Sequence, residues 1–125
     1  AAVKRWPGAS CLAIGNDPQA IAATCDNAAK NGVTDRIATS TAPLAVPEAG
    51  TPYELVLANI QAHVLRELRA ALIAHTAPGG TLILSGLLTP QAQPLADEFV
   101  AAGMRCVRVP PSSDDPQWSC AVLVR

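Results

Sequence analysis

Charge is scarce in this sequence. Only 15% of its residues are Asp, Glu, Lys or Arg, and nine basic against ten acidic side chains leave a formal net charge of −1. Such a chain offers neither the basic field that draws nucleic acid nor the polybasic stretch that docks on an anionic membrane. No direct nucleic-acid partner and no membrane are therefore expected. Long apolar runs are missing as well: Leu82–Leu84 and Ala121–Val124 are far too short to span a bilayer. No charged-then-apolar leader opens the chain, so no secretory signal is read and a cytoplasmic location is expected. The four cysteines (Cys11, Cys25, Cys106 and Cys120) form no C-x-x-C pair, and His63 and His75 lie far from them in sequence. That argues against a zinc site. Cys11, Cys106 and Cys120 sit in apolar stretches and are expected as buried free thiols. Repeats and low-complexity tracts are absent, and nothing marks an oligomeric state.

What is present is an apolar half. Fifty per cent of the 125 residues are hydrophobic, enough to build the core of one domain or part of one. The first residue is Ala1, and Ala1–Trp6 reads as the last turns of a helix whose beginning is absent, which suggests a partial domain. Short apolar runs then alternate with longer amphipathic segments. Ser10–Ile14 is a strand. Asp17-Pro18 opens a helix that runs to about Asn31, with Ile21, Ala22, Cys25, Ala28 and Ala29 on one apolar face and Asn31-Gly32 as its stop. Arg36–Thr39 is a weak strand, and Thr41–Thr51 is a loop. Tyr53–Ala58 is a buried strand ending at Asn59. Val64–His75 is a helix with Leu65, Leu68, Leu72 and Ile73 inward. Pro78-Gly79-Gly80 turns into the strand Thr81–Ser85, and Pro90–Ala102 is a helix closed by Gly103. Arg105–Val109 and Trp118–Val124 are strands joined by a Pro/Ser/Asp-rich loop. This alternation predicts an α/β fold with a mostly parallel sheet and an antiparallel terminal hairpin.

Ligands of open α/β sheets bind beyond the carboxyl ends of the strands. Gly15–Pro18, the residues after Thr39, and Asn59–Ala62 fall there. Asn59 has two readings. Its amide could hold an amine with the lone pair free to attack a methyl group, work that is mostly positioning. Equally, it could cap the following helix. Asp17 reads as a helix start. His63, at the opening of a helix, is either a base without a visible partner or a surface residue. His75 suits the negative end of its helix. Ser85-Gly86 lacks the context of a nucleophile elbow, which argues against a hydrolase. Trp118 reads as a sheet-packing residue.

Seven segments are distinctive: NDPQAI (Asn16–Ile21), DNAAKNGV (Asp26–Val33), ELVLANI (Glu54–Ile60), LRELRAAL (Leu65–Leu72), APGGTLILSGLL (Ala77–Leu88), AAGMR (Ala101–Arg105) and QWSCAVLVR (Gln117–Arg125). Together they resemble the methyltransferases of large-subunit ribosomal protein eleven, the PrmA family. The resemblance implies a Rossmann-like catalytic domain that moves methyl groups from S-adenosyl-L-methionine to amino groups of a ribosomal protein. It puts Asn59 beside both cofactor and acceptor amine. Two departures stand out. The family's first strand, with its G-x-G-x-G loop, should precede Ala1 and is not in this sequence. The family's D-x-D-P reads here as Gly15-Asn16-Asp17-Pro18, so the ribose position falls on Gly15, with Asn16 as the neighbouring candidate. The 125 residues alone are therefore expected to bind the cofactor poorly. A non-enzymatic methyltransferase-like binding module, or a methyltransferase for another amine, are the alternatives.

Overall fold

A computed structural model describes residues 9, 11–14, 18–40 and 53–125. They fall into two compact units divided after Leu44.

The first unit is a β-α-β segment. Strand β1 (Cys11–Ile14) pairs in parallel with β2 (Ile37–Ser40), in register from Cys11 opposite Ile37 to Ile14 opposite Ser40. Between them lie helix α1 (Pro18–Lys30) and a 3₁₀ turn, Thr34–Arg36. Proline at the first helical position loses no hydrogen bond there. The helix ends on Gly32, whose φ of +69° is open to glycine at little cost. Val33 N–H donates to the Ala28 carbonyl at 3.0 Å and Gly32 N–H to that of Ala29 at 3.1 Å, the paired closure of a Schellman motif. Ala28 and Val33 are buried, with Ile37 packed on them. Cys25, expected on the apolar face, is exposed instead.

The second unit holds a four-stranded sheet made of β3 (Tyr53–Asn59), β4 (Thr76–Leu88), β5 (Arg105–Arg108) and β6 (Trp118–Val124). Their order in the sheet is β3-β4-β6-β5. β3 and β4 run parallel and are linked by helices α2 (Ala62–Glu67) and α3 (Arg69–His75). Helix α4 (Thr89–Ala101) follows β4. β6 is antiparallel to both β4 and β5. The α/β expectation holds, and the terminal hairpin enters the sheet with β6 innermost.

Cross-strand rows explain the core. Ala58, Leu84 and Ala121 lie opposite one another, as do Val56, Leu82 and Leu123. Leu82, Leu84, Ala121 and Leu123 are wholly buried, together with Leu65 of α2 and Leu95, Ala96 and Phe99 of α4. The row between them, Leu57–Ile83–Val122, lies on the other face, and Leu57 is 61% exposed.

Four further expectations need correction. The helix expected over Val64–His75 begins at Ala62 and is broken at Leu68 into α2 and α3. The strand expected over Thr81–Ser85 extends from Thr76 to Leu88. Pro78-Gly79-Gly80 forms an irregularity within that strand: from Tyr53–Thr76 to Leu55–Thr81, β3 advances two residues while β4 advances five. Cys106 and Cys120 are free thiols as expected, but each is half-buried, because the hairpin strands that carry them are only partly covered. Among the described residues, no helix is long and apolar enough to cross a membrane.

Candidate functional site

The parallel pairing of β3 and β4 sets their carboxyl ends side by side, with Asn59 opposite Ser85. Just beyond, β4 bulges. Between the pairs Leu84–Ala121 and Leu87–Ser119 it advances three residues while β6 advances two. An extra residue of this kind bends a strand and re-aims the side chains beyond it, and such bulges collect near functional sites. Gly86 lies within the bulge with φ of +75°.

Asn59 is exposed, and its side chain lies against Gly86. The helix after it is capped by another residue. Gln61 is the N-cap of α2, and its carbonyl accepts from Val64 N–H at 3.1 Å and Leu65 N–H at 3.0 Å, without a side-chain cap. The capping role for Asn59 is thereby removed. The first of its two readings remains, an amide at the carboxyl rim with donor and acceptor available.

Gly86, which this amide touches, borders a shallow cleft of about 340 Å³ that Asn59 itself does not line. Gln61, His63 and Arg66 form one wall; Gly86, Leu88 and Trp118 form the other, with Gln91 at its margin. Trp118 is fixed there by its pairing with Leu88 across β4 and β6. The turn before β6 is tied to the start of α4: Thr89 N–H donates to the Gln117 carbonyl at 2.7 Å, and the Thr89 hydroxyl donates to the Pro116 carbonyl at 2.7 Å. The Gln91 side-chain oxygen accepts from Leu88 N–H at 3.2 Å, which shapes the chain as it leaves β4. Arg66 Nε lies 2.7 Å from a Glu98 carboxylate oxygen on α4, so the guanidinium that lines the cleft is already paired. Among the described residues, no carboxylate lines the cleft.

This lining has a chemical consequence. An amine attacks only after losing its proton, and a carboxylate beside it would hold it as ammonium. A neutral amide next to an uncharged apolar wall can orient N–H without doing so. The described residues therefore fit the acceptor side of a methyl transfer from S-adenosylmethionine. Gly15 and Asn16, the other candidates, lie outside the described residues.

The structure brings His63 into the cleft wall, whereas His75 ends α3 with its ring 6.3 Å from that of Tyr53. Sequence reasoning missed Gly86, Leu88 and Gln91, and read Trp118 as packing only. Their meeting depends on the β4–β6 register, which leaves no local sequence mark.

An α/β sheet with an exposed amide at the carboxyl end of a parallel strand is the arrangement of a Rossmann-like ligand-binding domain. Comparison with known proteins is specific. A family model described as "Ribosomal protein L11 methyltransferase (PrmA)" matches residues 2–125, and the chain belongs to that family. It is 38% identical over 109 residues to the ribosomal protein L11 methyltransferase of Geobacter sp. (strain M21), covering 87% of this chain and 33% of the relative. The chain thus spans about a third of the length of the curated relatives it matches. Among solved structures, the ribosomal protein L11 methylase of Lactobacillus delbrueckii subsp. bulgaricus superposes with a TM-score of 0.78 at 26% identity, over 93% of this chain and 57% of that one. The N-methyltransferase NodS of Bradyrhizobium japonicum WM9, solved with S-adenosyl-L-homocysteine, shares the fold at 15% identity, with a TM-score of 0.65 over 93% of this chain and 66% of that one.

Proposed function

We propose that the complete protein methylates amino groups of ribosomal protein L11 in the cytoplasm, and that Asn59 holds the acceptor amine. The observation that carries this reading is the uncommitted amide of Asn59 at the carboxyl end of β3, beside a cleft without carboxylates among its described residues. S-adenosylmethionine, when bound, supplies a methyl group on a positively charged sulfur. The Asn59 side-chain oxygen accepts an N–H of the deprotonated amine and turns its lone pair outward. Because that oxygen is neutral, it orients the amine without raising its proton affinity as an anion would. The Trp118–Leu88 wall receives the apolar part of the acceptor, in the manner of small-molecule clefts whose few polar groups set orientation. On the donor side, the ribose position falls on Gly15, which departs from the first acid of the family's D-x-D-P segment, and we assign the contact to the neighbouring Asn16.

The test is transfer of labelled methyl from S-adenosylmethionine to L11 by the complete protein. Asn59→Ala is expected to lower turnover by about a hundredfold, the scale of a lost positioning contact. Unchanged labelling by that variant would remove Asn59 from the mechanism.

A further inference from the structure

Ser85-Gly86 is no nucleophile elbow, and the function proposed above gives Gly86 no task of its own. The geometry around it points to one. We propose that Gly86 is a positioning residue for methyl transfer, holding the Asn59 amide at the carboxyl rim by leaving empty the volume a side chain would fill.

Two independent features meet at this residue. The first is steric. A β-carbon on Gly86 would stand 2.5 Å from Asn59 Oδ1 and 3.7 Å from Asn59 Cγ. Non-bonded carbon and oxygen do not approach so closely. The amide therefore occupies the place of the missing side chain, and any substitution must displace it. Its other neighbour there is backbone, the Ile60 nitrogen at 3.8 Å, so the clash is borne mainly by Asn59. The second feature is conformational. Gly86 sits in the β4 bulge at φ of +75°, which brings its backbone against the end of β3. Elsewhere in the fold, Gly32, Gly79 and Gly103 also have positive φ, yet a β-carbon on any of them would meet nothing within 4 Å. Gly86 alone among these four combines the special backbone with a neighbouring side chain proposed to touch substrate. It also borders the acceptor cleft, so an amide pushed off Gly86 moves relative to the bound amine. Displacements of this size cost reactivity steeply when the reaction depends on orientation.

This inference rests on the role proposed for Asn59, and the experiment separates the two. Asn59→Ala, Gly86→Ala and the double variant are made in the complete protein. Methyl transfer to L11 and urea midpoints are measured for each. The left-handed strain of alanine at position 86 is common to both backgrounds and cancels in the cycle, leaving the contact. In the Asn59 background Gly86→Ala is expected to lower kcat at least about tenfold. In the Asn59→Ala background it should change the residual rate less than about threefold, and its cost in urea midpoint should shrink. Should Gly86→Ala fail to fold alone, recovery of a folded protein in the double variant supports the steric contact, and a double variant that also fails overturns it. Equal losses of rate in both backgrounds, or an undiminished kcat for Gly86→Ala, overturn the proposal even if Asn59→Ala is inactive. If instead Asn59→Ala transfers methyl normally, the role of Asn59 is what fails, and the positioning role falls with it.

Discussion

Thr76 is wholly buried at the junction of α3 and β4, and its hydroxyl donates to the Leu72 carbonyl at 2.8 Å. Its own carbonyl accepts from the Arg125 guanidinium at 2.7 Å, which also donates to the Ile73 carbonyl at 3.1 Å. Two of the last carbonyls of α3 thus gain side-chain donors, that of Ile73 in addition to the Thr76 backbone N–H. Thr76→Val keeps the shape and removes the donor, so it is expected to destabilise by about 1–2 kcal/mol, measured by urea unfolding. A change within error would show that the buried hydroxyl contributes nothing. Residues like Thr76 are invisible to sequence patterning, since only the fold decides that it is buried. Asn59 is legible for the opposite reason: a polar amide after the run Leu55–Ala58 marks a strand end whatever packs around it. Cys25 is misjudged because helical spacing gives the direction of a side chain and not the presence of something to cover it.

At the scale of elements, strand and helix identities follow from periodicity and punctuation. Pro18 and Gly32 bound α1 as local physics requires. Boundaries fail where tertiary contacts extend an element. β4 runs past both ends of Thr81–Ser85 because β3 and β6 supply partners there, including Tyr53 opposite Thr76 and Trp118 opposite Leu88. The order β3-β4-β6-β5 is likewise beyond the sequence, which states neighbours in the chain and not in the sheet. Helix α4 carries an internal weakness. Pro94 lies within it and is exposed, so the Pro90 carbonyl loses a helical N–H partner. Pro94→Ala restores that bond at the cost of a freer unfolded chain. The balance predicts a gain of about 1–2 kcal/mol in unfolding free energy. A lower melting temperature for the variant would show that the helix needs its proline, for instance to set the direction of the chain after Leu88.

On the scale of the whole molecule, the two faces of the second unit's sheet differ. Leu84 is wholly buried in one row, while Leu57 on the adjacent strand is 61% exposed in the next. Parallel strands normally read as apolar on both sides because both are covered. Leu84→Ala is expected to cost about 2–5 kcal/mol, and Leu57→Ala under about 0.5 kcal/mol, in urea unfolding of the 125-residue chain. Comparable losses would mean that Leu57 is buried in solution. The apolar character of β3 is plain in its sequence; its exposure is not, because coverage is a property of what surrounds a strand. The PrmA resemblance is legible from seven short segments, whereas the meeting of Gly86 with Asn59 and the cleft beside them require the β3–β4–β6 register.

If the methyl group changes hands at the end of β3, a crystal structure of the complete protein with S-adenosyl-L-homocysteine tests it most directly. The thioether sulfur is predicted to lie against the Asn59 side chain, with the cleft between His63 and Trp118 open toward it. A sulfur bound away from the carboxyl end of β3, with Asn59 facing solvent, would contradict that placement.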